Sequence, residues 1–189
     1  MVVGRRMFLV YKIVVLFGKS GAGKDTTLKE ICKDSDFNKI ITCTTRPKRD
    51  YEVDGVDYHF LTIPQFSEKV LNGDMIEATC FNDDWFYGTD IHSLKEDKIN
   101  IGVFNIGSIE CMFGNPDLEL ELLYVTASDK TRLIRNLNRE YDPDCHEICR
   151  RFLADEKDFE KITTFPAMWE FDTEGEMTYD GLIRLIKNT

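Results

Sequence analysis

Positive charge is the first thing this sequence lacks. Its 189 residues carry 24 Lys and Arg against 34 Asp and Glu, a formal net charge of −10. Broad nucleic-acid binding needs clustered cations against phosphates, so the balance argues against it and against anionic membrane surfaces. A small anionic ligand remains open, because a basic pocket can sit inside an acidic protein. Long apolar runs are missing too. Residues 7–11 and 13–17 are interrupted by Lys12 and fall far short of the roughly 20 residues of a membrane span. Arg5 and Arg6 ahead of them imitate a secretory signal, but no small-residue cleavage site follows. The stretch reads as a leader running into a buried strand. The six cysteines, Cys32, Cys43, Cys80, Cys111, Cys145 and Cys149, contain no C-x-x-C pair. Scattered in this way they read as buried thiols of a reducing cytoplasm, not as a disulfide framework. Cys145, His146 and Cys149 have no second ligand pair at metal-binding spacing. His59, His92 and His146 show no triad. Repeats, low-complexity tracts and long linkers are absent, which leaves one domain with insertions.

What is present is a globular balance, 42% hydrophobic and 31% charged, ample for a real core. Residues 12–17 are a β-branched apolar run, as in a central parallel strand. Glycines follow, then helix spacing over 25–33. Residues 40–94 change texture: β-rich pieces at 40–45, 57–61 and 75–81 alternate with turns and one amphipathic helix at 63–72, which reads as an inserted subdomain. Further strands are expected at 99–106, 121–125 and 169–172. Helices are expected at 108–113, 127–140, from 144 or 145 to about 162, and at 178–186, with Tyr141–Asp144 breaking the second of these. Strands alternating with helices give an α/β fold with a mostly parallel sheet flanked by helices.

Residues 18–25, Gly-Lys-Ser-Gly-Ala-Gly-Lys-Asp, nearly match the phosphate-loop pattern G-x-x-x-x-G-K-[ST]. Glycines let backbone N–H groups converge on phosphate oxygens, and the following helix adds its positive end. A strand enters and a helix leaves, as the P-loop NTPase fold requires. Gly18, Ser20, Gly21, Ala22, Gly23, Lys24, Asp25 and Thr26 are therefore the expected ATP-binding set, with Lys24 on the β and γ phosphates. Asp25 stands where Ser or Thr normally ligates Mg²⁺. A carboxylate is also a hard-cation ligand, so Asp25 and Thr26 are the expected metal residues; the other reading of Asp25 is a first-turn acid stabilised by the helix dipole.

Thr42-Cys43-Thr44-Thr45-Arg46-Pro47-Lys48-Arg49, running on into Glu52-Val53-Asp54-Gly55-Val56-Asp57-Tyr58-His59-Phe60, closely resembles the nucleotide-monophosphate segment of guanylate kinases. Met75-Ile76-Glu77, Tyr87-Gly88-Thr89 and an Arg-rich stretch follow in family order. The resemblance covers roughly residues 12–187. It implies a core (12–39, 96–127 and 152–189), an NMP-binding insertion (40–95) and a helical lid (128–151). It implies phosphoryl transfer from ATP, with Mg²⁺, to a nucleoside monophosphate, and small-molecule nucleotides as partners. It carries Arg46, Arg49, Tyr58 and Tyr87 onto the acceptor phosphate, where arginine forks and tyrosine hydroxyls suit phosphate oxygens. Glu77, Thr42 and Thr89 fall where the family reads guanine. Arg135, Arg139 and Arg151 fall on phosphate-contacting lid positions, which with Lys24 makes the expected catalytic set. Arg132 and Arg150 also flank the break; Arg150 stands where a Lys is usual. Asp172, after the last strand, falls near the donor adenine in place of a usual Asn.

The resemblance has gaps. The family's Asp-x-Asp at the end of the strand preceding residue 107 is read here as Asn105-Ile106-Gly107. GMP or dGMP is the expected acceptor. Another (deoxy)nucleoside monophosphate stays open on account of Asn105, Gly107 and Asp25. A non-catalytic interaction module is the third reading, against which Gly18, Gly23, Lys24, Arg46, Arg49 and Arg151 all weigh.

Overall fold

Ile13, Val14, Val15, Leu16 and Phe17 have no exposed surface at all. Strand alternation sends their side chains to opposite faces, so a run apolar at every position must be covered on both sides. The computed structural model, which describes residues 10–49, 52–81, 85–139, 141–166 and 168–189, shows that cover. In chain order its elements are β1 (Tyr11–Phe17), α1 (Lys24–Ile31), β2 (Phe37–Lys39), β3 (Cys43–Thr44), β4 (His59–Phe60), α2 (Ile63–Leu71), β5 (Met75–Phe81), β6 (Trp85–Asp90), β7 (Ile99–Val103), α3 (Ile106–Met112), β8 (Leu118–Thr126), α4 (Asp129–Leu137), α5 (Cys145–Asp158), a 3₁₀ turn (Phe159–Thr164), β9 (Trp169–Asp172) and α6 (Tyr179–Lys187).

One sheet is fully parallel, in the order β2-β7-β1-β8-β9, with β1 at its centre. On one face Val14 and Leu16 pack with Leu28 and Ile31 of α1 and Leu182 and Ile186 of α6. On the other, Ile13, Val15 and Phe17 pack with Ile109 and Met112 of α3 and the Phe159, Ile162 and Phe165 side chains. Each fully buried side chain of this kind contributes about 1.5–3 kcal/mol. The doubly covered sheet fixes the carboxyl end of β1 against β8, and the loop leaving that end is where an α/β sheet binds its ligand.

A second sheet, β4-β3-β6-β5, is built from the segment between β2 and β7. Its β3–β6 and β5–β6 pairs are antiparallel. Helix α2 closes one side by burying Phe66, whose ring lies 5.6 Å from that of Phe86. The helix starts cleanly because Thr62 and Gln65 form a reciprocal capping box followed by proline in the first turn.

Several expectations need correction. Residues 99–106 are not one strand: β7 ends at Val103, Asn105 caps α3 by accepting the Ser108 N–H at 2.8 Å, and Ile106 is helical. The capping amide ends the strand where apolar composition alone would extend it. β2 and β6 were not anticipated. β2 is three residues long, and β6 holds Gly88 and an aromatic cluster without clean alternation. The expected helix over 127–140 is Asp129–Leu137, while Glu140 lies outside the described residues, as do Arg5, Arg6 and Met7 of the leader. The long helix gives way at Asp158 to the 3₁₀ turn. The thiols do not share one environment either. Cys43 is buried and Cys32 half-buried, but Cys80, Cys111, Cys145 and Cys149 are exposed, because they fall on the outward sides of β5, α3 and α5. Among the described residues no helix is long and apolar enough to cross a membrane.

The segment leading into β7 is tied to the parallel sheet by Asn100, which is 0% exposed. Its Oδ1 accepts from Asn38 Nδ2 and from the Lys95 N–H, both at 2.8 Å, and its Nδ2 donates to Lys95 O at 2.9 Å. Asn100→Leu keeps the volume but orphans those groups. It is expected to lower Tm by about 10 °C in a thermal melt; an unchanged Tm would show that only volume matters there.

Candidate active site

Residues 18–23 leave β1 with no strand partner, and every one of their carbonyls accepts a hydrogen bond. Lys24 Nζ donates to Gly18 O at 2.6 Å and Lys19 O at 3.1 Å. Arg132 Nε donates to Ser20 O at 3.1 Å. Arg135 Nη1 donates to Gly21 O at 3.2 Å and Ala22 O at 3.0 Å. The Thr27 N–H closes the first turn of α1 on Gly23 O at 2.9 Å. In a trans peptide the C=O and the next N–H point opposite ways. Drawing the carbonyls of residues 20 and 22 toward α4 and Thr173 therefore turns the N–H groups of Gly21 and Gly23 away from them, into the concave side of the loop, while the Ala22 N–H closes a turn on Lys19 O at 3.2 Å. That is an anion nest at a helix N-terminus. The curvature excludes side chains at two positions: a Cβ on Gly18 would sit 2.2 Å from Val125 O, and one on Gly21, at φ +79°, would sit 2.5 Å from Arg132 O.

Burial pulls the Lys24 ammonium below the ordinary lysine range, against the opposing attraction of Asp25 and Asp155. Asp25 and Thr26 are exposed on the first turn of α1. Asp172, at the end of β9, is exposed, and its Oδ1 accepts the Glu174 N–H at 2.9 Å. Its neighbour Thr173 is the residue that reaches the loop, donating to Ala22 O at 3.0 Å and receiving Arg135 Nη1 at 3.0 Å.

Beside the loop lies a cavity of about 150 Å³ whose lining includes Ser20, Arg49, Asn136, Arg139, Glu147 and Arg151. Three of the expected phosphate-binding arginines thus share one space, although they come from distant parts of the chain. Glu147 holds Arg151 there, accepting from its Nε at 2.6 Å, and is paired with Arg150 as well. Hydrogen bonds from Arg150, then Arg151, hold the Glu147 carboxyl down at about 2. Arg135 is not in that lining; it braces the loop carbonyls from the other side.

The second sheet presents the remaining expected residues. Arg46 is buried and grips Glu52 with both terminal nitrogens, at 3.0 and 2.7 Å. Its guanidinium lies 5.5 Å from the Tyr58 ring centroid, and Tyr58 meets Tyr87 edge-on at 6.1 Å. Glu52 also accepts the Arg49 N–H at 2.8 Å, so one carboxylate orients both arginines. Burial, then Tyr87, then Asp25 push the Tyr58 phenol up. Thr42 is half-buried just ahead of β3, its carbonyl accepting the His59 N–H at 2.9 Å.

Glu77 on β5 faces Thr89 on β6 in register. It is 5% exposed. The Thr89 hydroxyl donates to Oε1 at 2.8 Å, while Oε2 is buried with no partner. Burial drives this carboxyl above the usual range, opposed by the hydroxyls of Thr89 and Ser108. An unsatisfied buried carboxylate oxygen is costly unless a ligand completes it.

A family model described as guanylate kinase matches residues 10–172. The chain belongs to the guanylate kinase family. Curated guanylate kinases from Ruegeria sp. (strain TM1040), Lactiplantibacillus plantarum and Schizosaccharomyces pombe are 46%, 40% and 38% identical over 79, 86 and 97 residues. Those stretches are 41%, 44% and 50% of this chain, and 36%, 41% and 48% of the relatives. The chain therefore matches less than half the length of these curated relatives. The crystal structure of guanylate kinase from Anaplasma phagocytophilum superposes with a TM-score of 0.67 over 95% of this chain and 86% of the other, at 18% identity, a likeness of fold.

Within the guanylate kinase frame, Asn105 and Gly107 are not strand residues. Asn105 spends its side-chain oxygen on the helix cap, and Gly107 lies in the first turn of α3 facing Thr79. Three side chains that sequence reading did not assign are drawn into the site: Ser108 beside Glu77, and Arg132 and Asp155 behind the loop. No spacing signal marks them, since each acquires its partners from a distant element.

Because the folded-state pKa of Glu77 is raised, the native state binds its proton more tightly than the unfolded chain. Stability is then lost as pH rises from the ordinary glutamate value through the raised one. Glu77→Gln removes that loss. Its Tm is expected to exceed the wild-type value by about 3 °C at pH 7, with the gap shrinking toward pH 4. Melts across that range decide it; a gap that is constant or widens in acid contradicts the assignment.

Proposed function

We propose that this chain is a guanylate kinase, moving the terminal phosphoryl group of ATP to the 5′-phosphate of GMP or dGMP. The observation that carries the reading is Glu77: a buried carboxylate with one oxygen held by Thr89 and the other unpaired, in the sheet whose β6 carries Tyr87 and whose β3 and β4 adjoin Arg46 and Tyr58. A carboxylate there accepts from guanine N1–H and the 2-amino group. The Thr42 hydroxyl serves O6, and Thr89 orients the carboxylate by donating its one proton to Oε1. Adenine presents no such donor pair, and a buried polar site rejects it strongly.

Arg46, Arg49, Tyr58 and Tyr87 hold the acceptor phosphate. The nest of residues 18–23 and Lys24 hold the donor phosphates, and Asp172 borders the adenine. Mg²⁺ fits the residues present. Asp25 is an exposed hard-oxygen donor beside Lys24, with Thr26 next to it, and Mg²⁺ is commonly bound by one or two carboxylates plus substrate phosphates. When bound, the ion neutralises charge on the donor phosphates. An acceptor phosphate oxygen attacks the γ phosphorus, the bond to the β–γ bridging oxygen breaks, and ADP leaves with the electron pair. Arg135, Arg139 and Arg151 act on this step: Arg139 and Arg151 offer charge to the equatorial oxygens, and Arg135 keeps the nest in shape. Residues 128–151 form the lid, 40–95 the acceptor-binding part, and the rest the core. Closure excludes water as a competing acceptor. The cytoplasm, which keeps six free thiols reduced, is the location we assign.

A coupled ADP-release assay tests the reading. GMP and dGMP are expected to turn over, with kcat/KM about 10⁴-fold above AMP and dAMP. Lys24→Ala is expected to lower kcat by about 10²-fold or more. Arg49→Ala should mainly raise KM for GMP. Equal use of AMP and GMP, or no ADP release with any monophosphate, sinks the proposal.

A further inference from the structure

Arg132 is 2% exposed and is the bulkiest of the fully buried side chains. A buried guanidinium persists only with partners around it. Nη1 donates to Asp129 Oδ1 at 2.8 Å and Glu156 Oε1 at 3.3 Å, and Nη2 to Asp155 Oδ2 at 3.2 Å. The guanidinium carbon lies 4.5 Å from the Phe152 ring centroid. Its Nε is aimed at the phosphate loop, on Ser20 O at 3.1 Å. The Ser20 N–H in turn donates to Asp155 Oδ2 at 2.6 Å. Both backbone polar groups of one loop residue are therefore held by the two halves of one ion pair, Arg132 from α4 and Asp155 from α5. Glu156 adds a bond to Lys19 Nζ at 2.6 Å, and Asn136 accepts from Ser20 Oγ at 3.3 Å.

Helix packing alone does not require this arrangement. A buried ion pair is weak evidence of stabilisation, and apolar side chains of similar volume often serve as well. What the pair accomplishes is local: it fixes the orientation of the peptide units on either side of Ser20. We propose that Arg132 and Asp155 are positioning residues for donor binding, clamping Ser20 so that the N–H groups of Gly21 and Gly23 stay aimed into the nest before any phosphate arrives. The proposal rests on the donor-site reading given above. A preset nest loses less conformational freedom on binding and needs no reorganisation during transfer. The acceptor groups, Glu77 on the second sheet and Arg46 and Tyr58 adjoining its β3 and β4, gain nothing from the clamp.

The test compares Asp155→Ala, Asp155→Asn and Arg132→Lys. Asp155→Ala and Arg132→Lys are expected to raise the Kd and KM for MgATP by about tenfold or more, while KM for GMP stays within about twofold. Asp155→Asn keeps an oxygen for the Ser20 N–H and should recover most of the loss. Amide exchange at Ser20 and Gly21, followed by NMR without nucleotide, should quicken in Asp155→Ala. If Arg132→Lys fails to fold, the two Asp155 variants decide, since that side chain is 20% exposed and off the core. Donor and acceptor constants that move together, or unchanged donor constants with unchanged exchange, overturn the proposal. If the wild type itself binds no ATP, the functional reading fails, and loop exchange in Asp155→Ala still decides whether the clamp sets the loop.

Discussion

Six consecutive carbonyls with no strand to receive them are the constraint around which this site is built. A loop between a buried strand and a helix must satisfy its backbone groups somewhere. Here the acceptors of residues 18–23 are taken by Lys24, Arg132, Arg135, Thr173 and the first turn of α1. Consuming the carbonyls on one side leaves donors on the other. The nest is thus partly a by-product of how the protein bonds the back of the loop. Its geometry passes to β8 and α4 through two glycines that admit no Cβ. Packing of β1 sets where the loop begins; α4, α5 and β9 set how it bends.

The acidic balance belongs to the same account. Among the described residues, several of the cations near the cleft pair with carboxylates: Arg46 with Glu52, Arg151 with Glu147, Lys19 with Glu156, and Arg132 with Asp129, Asp155 and Glu156. The pairs differ in burial, and so in kind. Arg46–Glu52 and Arg132–Asp155 join a nearly fully buried arginine to a carboxylate, where a missing partner leaves a desolvated charge. Arg151–Glu147 is largely solvated, and such pairs exchange at little cost. Buried pairs fix the shape of the site, and the solvated pair marks the charge that can be redirected. A net charge of −10 is compatible with a phosphate cleft because the acids are distributed as holders of its cations.

The chain's own letters revealed the parts governed by local rules. An apolar run bounded by glycines announced β1 and the phosphate loop, because both depend on the size and backbone freedom of consecutive residues. The second sheet was legible as β-rich pieces. β6 was not, since Trp85–Asp90 mixes aromatics, glycine and acid, and its pairing with β3 and β5 comes from partners far along the chain. Arg132 looked like one more solvated helix charge. Only the return of α5, more than twenty residues later, buries it. Four cysteines taken for core thiols are at the surface for the complementary reason: which side of a helix or edge strand faces water is fixed by its neighbours, and composition does not carry that information. Asp172 and Thr173 differ by one position, and the strand end decides which of them reaches the loop.

Asn100 and Glu77 separate structure from recognition more sharply than any motif does. Both are polar and almost wholly buried, at 0% and 5% exposure. Asn100 has its oxygen and nitrogen engaged several times over, by two strands and a loop. Such a residue is complete without a ligand, and its amide carries no charge to neutralise. Glu77 has one oxygen engaged and one orphaned, on a group whose ionised form burial opposes. A folded chain under selection for stability alone has ready replacements for that carboxylate, since glutamine or an apolar residue avoids the penalty. Its incompleteness is therefore the informative property. Hydrogen-bonding capacity withheld from the protein, in a desolvated place on the sheet that carries Tyr87, is capacity held for something that arrives from outside, with donors arranged to meet it.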